Sequence, residues 1–249
     1  MSKLPQITLL FWIMKICATT LGETAGDLFS MTLNIGYAVS SIFLVSIFIV
    51  TLLAQLVSKK YHPLLYWTVI LSTSTAGTTM SDFMDRTLGL GYAMGSLLLL
   101  SLLMITLGIW YQTEKSLSVT DIKTPRAEIF YWIAILFSNT LGTALGDFLA
   151  DDSGLGFLGG ALLISGVLGV IILAKYFTKV FPIILFWLAF VLTRPFGATF
   201  GDLLTKMPEK GGLGFGTIGS SLVLFTILAV LVFYTIRKQS EPKKVLVLD

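Results

Sequence analysis

Four aspartates recur at one position of a repeated pattern, and their carboxylates are suited to bind a cation or a proton. Each aspartate lies five residues after a glycine and directly follows a glycine or serine. The glycine and aspartate pairs are Gly22 with Asp27, Gly77 with Asp82, Gly142 with Asp147, and Gly197 with Asp202. Carboxylates bind hard cations such as Mg²⁺, Mn²⁺ or Ca²⁺ and also carry protons. The pattern therefore predicts four acidic positions with related roles.

The aspartates extend into polar stripes, because residues four apart share one face of a helix. The four stripes are Thr19–Glu23–Asp27, Ser74–Thr78–Asp82, Asn139–Thr143–Asp147 and Arg194–Ala198–Asp202, and the first continues back to Lys15. A stripe of small residues lies beside each one: Gly22 and Gly26, Gly77 and Ser81, Gly142 and Gly146, Gly197 and Gly201. Small residues at this spacing let helices approach closely in a membrane. Packing on the glycines would turn the polar stripes toward a shared axis.

The predicted site for an ion or a small solute combines these stripes with neighbouring hydroxyl groups. Its residues are Glu23, Asp27, Asp82, Asp147, Asp202, Thr19, Thr20, Thr75, Thr78, Asn139, Thr140, Thr143, Lys15 and Arg194, and the metal-ligand candidates are Glu23 and the four aspartates. An ionised residue at mid-membrane costs roughly 2.5–3.5 kcal/mol and usually faces an interior or an ion pathway. In the alternative, each aspartate caps the next helix or holds the tight loop before it. Glu23 lies one turn deeper, where capping does not explain it.

The composition predicts that a lipid bilayer surrounds these stripes. The chain of 249 residues is 55% hydrophobic and 12% charged, whereas a soluble domain has about 25% charged residues. Runs of about 20 apolar residues can cross a bilayer, and the sequence contains eight: 6–29, 36–57, 64–86, 91–112, 127–150, 156–176, 183–205 and 214–236. The polar linker 113–126 divides the chain into 1–112 and 127–236, and the tail is 237–249.

Each half contains two helical-hairpin units, which are 6–57 and 64–112, then 127–176 and 183–236. A second glycine opens the even helix of each unit: Gly36, Gly91, Gly156 and, after an insertion, Gly214. Because each unit has two spans, all four face the same way, and their pseudo-symmetry axis runs along the membrane normal. Twelve Lys and Arg residues lie on the side of the termini and three on the other, which predicts cytoplasmic termini. The expected fold is an all-α polytopic membrane protein.

The motif T-x-G-x-x-x-G-D, followed by G-L-G-Y or G-L-G-F, resembles a family of bacterial membrane-anchored proteins. That family is built from the repeat of unknown function 347, and the resemblance covers essentially the whole chain. It implies a multi-span protein of the bacterial inner membrane and names no activity. The first copy departs from the pattern at Asn34, and the fourth has Pro195 in place of the motif threonine.

The leading functional hypothesis is a small transporter of a cation. The cation is a divalent metal ion, or its transport is coupled to protons. Lys15 and Arg194 would repel a bare cation, so a transporter of a small zwitterionic or anionic solute is the alternative. A scaffold or sensor without flux is a third possibility. An intramembrane aspartyl enzyme, with Asp82 and Asp147 as its dyad, is a fourth, but the expectation is that the protein is not an enzyme.

With one histidine and one cysteine, the sequence predicts no cofactor, and it predicts no nucleic-acid partner. Asp85, Asp151 and Asp152 are expected to be solvated.

Overall fold

The computed structural model describes residues 4–120, 122 and 124–240, and this part of the chain contains eight α-helices and no strands. The helices are α1 (Leu9–Asp27), α2 (Tyr37–Val57), α3 (Pro63–Asp82), α4 (Tyr92–Glu114), α5 (Pro125–Asp147), α6 (Gly156–Phe177), α7 (Pro182–Thr205) and α8 (Thr217–Ser240). The eight predicted helices are confirmed. Two residues of the predicted linker, Asp121 and Lys123, and most of the predicted tail, 241–249, lie outside the described residues.

Several helix starts follow from local sequence. The hydroxyl of Thr8 accepts a hydrogen bond from Phe11 N at the start of α1, and that of Thr124 accepts one from Ala127 N at the start of α5. Proline is the first residue of α3, α5 and α7. Proline suits this position because its missing N–H would have no partner within the helix.

Six of the helices are long and apolar enough to cross a membrane: α2, α4, α5, α6, α7 and α8. The other two, α1 and α3, have similar lengths of 19 and 20 residues and carry many buried polar side chains. They tolerate these polar residues because protein surrounds them on most sides. The chain is therefore an all-α polytopic membrane protein of eight helices.

The odd-numbered helices form a closed inner ring, in which α1 contacts α3, α3 contacts α5, α5 contacts α7, and α7 contacts α1. The even-numbered helices form an outer layer with large exposed apolar side chains. The four repeats thus surround one axis that runs parallel to the helices, as the parallel orientation of the units predicts.

The glycine stripe of each inner helix packs against the polar stripe of the next inner helix. A Cβ added at Gly22 would clash with Ser74 Oγ, and one at Gly77 would lie 3.0 Å from the backbone of Asn139. The same relation joins Gly142 to Arg194 and Gly197 to Thr19. The predicted role of the glycines is confirmed: close approach of the helices turns the polar stripes inward.

Each outer helix packs mainly against the inner helix of the following unit. Thus α2 lies on α3, α4 on α5 and α6 on α7, while α8 returns to lie on α1. Each sequence repeat therefore packs its outer helix mainly against the next repeat and less against its own inner helix.

The connections at the aspartate end differ between units. In the first three, a π-helical turn follows the aspartate directly, at Leu28–Thr32, Phe83–Thr87 and Phe148–Asp152. In the fourth, α7 continues to Thr205, and a short 3₁₀ turn, Pro208–Lys210, follows.

The start of α8 corrects the predicted alignment of the fourth unit. Gly36 and Gly91 have positive φ, and their carbonyls accept the first hydrogen bonds of α2 and α4. In the fourth unit Gly214 and Gly216 both have positive φ, but the Gly216 carbonyl accepts the bond from Ser220 N. Gly216, and not Gly214, is therefore the equivalent of Gly36. The sequence hides this because both glycines follow the insertion.

Candidate functional site

The inner ring places repeat-equivalent residues around the axis in tiers that are four residues apart along each helix. From the aspartate end they are the aspartate tier (Asp27, Asp82, Asp147, Asp202), the glutamate tier (Glu23, Thr78, Thr143, Ala198), the arginine tier (Thr19, Ser74, Asn139, Arg194), the lysine tier (Lys15, Ile70, Ile135, Phe190) and the aromatic tier (Phe11, Tyr66, Tyr131, Phe186). All of these side chains are buried except that of Phe186, which is partly buried.

In the aspartate tier, two basic residues each bridge a pair of aspartates. Lys206 Nζ lies 2.5 Å from Asp27 Oδ2 and 3.1 Å from Asp202 Oδ1. Arg86 Nε lies 2.7 Å from Asp82 Oδ1, and its Nη2 lies 3.2 Å from Asp147 Oδ2. Each basic residue follows the aspartate of its own helix by four residues and reaches the aspartate of another helix. Both bridges therefore join the first half of the chain to the second.

The aspartates do not cap α2, α4 or α6. The residues before α2, α4 and α6 are Gly36, Gly91 and Leu155, and no side chain bonds the backbone there. The carboxylates instead meet basic residues across the ring. Burial alone would lower the pKa of Lys206, which lies just beyond the end of α7, but Asp202 and Asp27 raise its pKa overall. The two carboxylates therefore favour the charged form of its ammonium group.

Arg194 connects all four inner helices at the middle of the axis. Its Nη1 lies 2.8 Å from Glu23 Oε2 of α1, and neither side chain is more than 3% exposed. Its Nη2 donates to Thr78 Oγ1 of α3 at 2.6 Å and to Thr143 Oγ1 of α5 at 2.8 Å. Thr143 Oγ1 also donates to Glu23 Oε2 at 3.1 Å. The predicted residues Glu23, Thr78, Thr143 and Arg194 thus form one buried network.

Lys15 lies deeper and has neutral partners. Its Nζ donates to Asn139 Oδ1 at 3.4 Å and lies 4.1 Å from the centre of the Phe190 ring. Asn139 Nδ2 in turn donates to Thr73 Oγ1 at 2.7 Å. Thr19 Oγ1 lies 3.2 Å from the carbonyl oxygen of Thr193 on α7. Lys15, Asn139 and Thr19 therefore all make contacts between inner helices.

The axis becomes more apolar and aromatic toward the end at which α1 begins. Tyr66 and Tyr131 face each other in the aromatic tier, with 2.7 Å between their hydroxyl oxygens. Both side chains are buried, and Tyr66 also packs edge-on against Trp67. The lysine and aromatic tiers together close this end of the axis with packed side chains.

The hydroxyl groups of three predicted site residues make no hydrogen bond to the axial network that the structure shows. Thr20, Thr75 and Thr140 donate to carbonyls of their own helices, at Ile16, Leu71 and Leu136. Each follows a stripe residue by one position, which turns it about 100° around the helix. Thr75 lines a mainly apolar cavity of about 420 Å³ between α1, α2, α3 and α8.

The prediction that Asp85 is solvated is wrong, because its side chain is buried. Its Oδ2 accepts a hydrogen bond from Ser81 Oγ at 3.1 Å, and the carboxylate lies against Gly95 of α4. Asp151 and Asp152 are exposed, as expected.

Three carboxylates come close enough together to share a metal ion. One oxygen from each of Glu23, Asp27 and Asp202 lies within 4.8 Å of the others. Lys206 and Arg194 neutralise part of this charge. Arg86 lies between Asp82 and Asp147, the pair that an aspartyl-protease dyad would use.

Arg86 and Lys206 are the site residues that sequence reasoning missed, because they were counted only as loop charges. The signal was a basic residue four positions after the aspartate in the second and fourth units, at positions 120 apart. That spacing places both groups on one face of a helix, beside the carboxylate.

Comparison with known proteins supports the repeat architecture. No curated protein matches the chain, and no solved structure does. The family described as Repeat of Unknown Function (DUF347) matches four times, at residues 10–61, 65–116, 130–181 and 185–240. These matches coincide with the four hairpin units and cover most of the sequence, and the chain therefore belongs to the family built from the Repeat of Unknown Function (DUF347).

Proposed function

We propose that this protein transports a small cation across the bacterial inner membrane, along the axis of the inner ring. The observation that carries the proposal is the burial of five acidic side chains around one axis in a membrane protein. Ionisable residues inside membrane bundles are costly, and they commonly mark ion pathways or proton relays. Packing alone would be served as well by apolar residues.

A divalent metal ion or a proton fits the chemistry of the aspartate and glutamate tiers. Glu23, Asp27 and Asp202 offer three oxygens within 4.8 Å of one another, and hard divalent cations prefer oxygen ligands. The same carboxylates can carry protons, so proton coupling needs no further residues. We take Mn²⁺ as the probe cation because its binding can be followed directly by electron paramagnetic resonance.

The two halves of the chain are the natural moving parts. In the described residues the axis is closed by packed side chains, so a substrate passes only when inner helices separate. Both salt bridges of the aspartate tier cross between the halves. In parallel-repeat transporters, one half rocks against the other around a central site. With cytoplasmic termini, the aspartate tier faces the periplasm.

A second candidate substrate is a small zwitterion, which Lys15 would favour. The Lys15 ammonium contacts the Asn139 amide and the Phe190 ring, and both of these partners are uncharged. A substrate carboxylate would supply the missing countercharge in a rearranged state. Glycine or an amino-acid mixture therefore belongs in the same flux assay as the metal ion.

Flux in proteoliposomes tests the proposal. We expect the reconstituted protein to move Mn²⁺ or protons, and Glu23→Gln and Asp147→Asn, compared at equal amounts of folded protein, to reduce that flux by about tenfold or more. Glu209→Gln removes an exposed acidic residue outside the network and serves as the matched control. Absence of metal, proton and zwitterion flux from well-folded protein would favour the scaffold alternative. Equal flux from all variants would exclude the acidic residues from the pathway.

A further inference from the structure

We infer that the Lys206 ammonium is a tethered competitor of the transported cation, which binds between Asp27 and Asp202 once Lys206 leaves. The inference rests on the proposed function. It adds the residue that sets the affinity with which the aspartate tier binds the cation. It is carried by the differences between the two salt bridges of the aspartate tier.

The first difference is the chemistry of the bridging side chains. Arg86 presents a planar fork to Asp82 and Asp147, and its guanidinium carbon lies 5.4 Å from the centre of the Tyr92 ring. A guanidinium held in this way directs a separate N–H group to each carboxylate. Lys206 instead places a single ammonium between two carboxylates, at distances of 2.5 and 3.1 Å. An ammonium is a compact point charge on a flexible stem, so it resembles a bound metal ion.

The second difference is the number of carboxylates on each side. A Glu23 oxygen lies within 4.8 Å of oxygens of Asp27 and Asp202, so the Lys206 side has three acidic groups. On the Arg86 side, the residues equivalent to Glu23 are Thr78 and Thr143. A divalent cation needs several oxygen ligands, and only the Lys206 side supplies a third carboxylate among these tiers.

A third observation is that the Lys206 side chain has a path to solvent, a property it shares with Arg86, whose side chain is 34% exposed. Lys206 is the first residue beyond α7 and begins the insertion that the other units lack. Its backbone is held, because Lys206 N donates to Asp202 O at 2.9 Å and its carbonyl accepts from Gly214 N at 2.9 Å. Its side chain is 20% exposed, whereas those of Asp27 and Asp202 are 4% and 6% exposed. The ammonium can therefore swing toward solvent while the carboxylates stay in place.

Displacement also balances charge. With Lys206 in place, one positive charge faces Asp27 and Asp202, and Arg194 faces Glu23. When the ammonium leaves, a divalent ion restores that charge and adds one more. Binding of the cation and release of Lys206 are thus the two halves of one exchange.

Mn²⁺ binding to purified full-length protein tests the inference. Lys206→Gln removes the competing charge, so we expect Mn²⁺ to bind about tenfold more tightly or better, a change of about 1.4 kcal/mol. Lys206→Arg keeps the charge and should give no gain. Arg86→Gln removes the other bridging charge, and we expect no comparable gain because that side has no third carboxylate. Equal gains from Lys206→Gln and Arg86→Gln would overturn the inference, since they would show only a general effect of net charge.

A second measurement uses the wild-type protein and so does not depend on how a variant folds. Labelling of lysine amines, read by mass spectrometry, should increase at Lys206 when Mn²⁺ is added and stay constant at the exposed Lys210. Unchanged labelling of Lys206 at saturating Mn²⁺ would overturn the inference while leaving cation transport intact. Absence of both Mn²⁺ binding and cation flux would instead remove the proposed function itself.

Discussion

Glu23 of α1 and Arg194 of α7 form an ion pair of 2.8 Å, although neither side chain is more than 3% exposed. The two residues are 171 positions apart, and they join the first inner helix to the last. Arg194 also donates to Thr78 and Thr143. The pair therefore closes the ring and fixes the middle of the axis at the same time.

Glu23→Gln should strongly destabilise the protein. It leaves the Arg194 guanidinium buried without a countercharge, and breaking a buried pair in this way costs about 3–5 kcal/mol. Thermal unfolding in detergent, followed by intrinsic fluorescence, measures the effect. The double variant Glu23→Gln with Arg194→Met should recover part of the loss, because it removes the stranded charge. A melting temperature for Glu23→Gln equal to that of wild type would contradict this account.

The hydroxyl groups of Tyr66 and Tyr131 should show strong energetic coupling. Each single change to phenylalanine leaves one buried hydroxyl without its partner, which costs about 1–3 kcal/mol. The double variant removes both hydroxyls and should be more stable than the sum of the single effects predicts. A double-mutant cycle on unfolding free energies gives the coupling directly. Strict additivity would mean that the two hydroxyls do not depend on each other.

Gly77→Ala should separate α3 from α5. The new methyl group would lie 3.0 Å from backbone atoms of Asn139 and Thr140, and backbone cannot give way as a flexible side chain can. We expect a loss of about 1–3 kcal/mol in unfolding free energy from this overpacking. Gly108→Ala is the matched control, because its added Cβ would meet no atom within 4 Å. Equal melting temperatures for the two variants would count against close packing on the glycine stripe.

Arg86→Lys should weaken the link between the halves although it keeps the charge. Lys206 shows that one ammonium can reach two aspartates of this tier, but a lysine lacks the planar fork that directs a separate N–H group to each carboxylate. Because the Arg86 side chain is partly exposed, we expect a loss of about 1 kcal/mol. The matched control is Arg126→Lys, at an exposed position outside the network. Chemical unfolding in detergent would separate the two, and no difference between them would show that Arg86 contributes only its charge.

The sequence predicts the inner ring well because the glycines and the acidic residues recur with the same helical spacing. Gly22 and Gly26 define a close-packing face, and Glu23 and Asp27 lie beside it at the same spacing. Once helices pack on the glycines, the polar face has to turn inward. Gly197 against Thr19 and Gly201 against Glu23 confirm this geometry where the ring closes.

Contacts between different helices are harder to predict, because the residue pattern of one helix does not show which neighbour it meets. The spacing of Arg86 and Lys206 predicts contact with the aspartate of their own helix, but not with Asp147 or Asp27 of another. The hydroxyl of Thr75 was predicted in the site because it belongs to the motif, yet it donates to its own helix. The preference of α2 for α3 over its own hairpin partner is likewise invisible to periodicity.

The packing of the outer helices makes the two halves mutually dependent. The first half gives α4 to the inner helix α5, and the second half gives α8 to the inner helix α1. This is the reciprocal exchange of elements known from domain-swapped dimers, here within one polypeptide. Neither half can complete its own lipid-facing wall. The last helix of the chain therefore covers the first, and the packing of α1 is complete only when both halves are present.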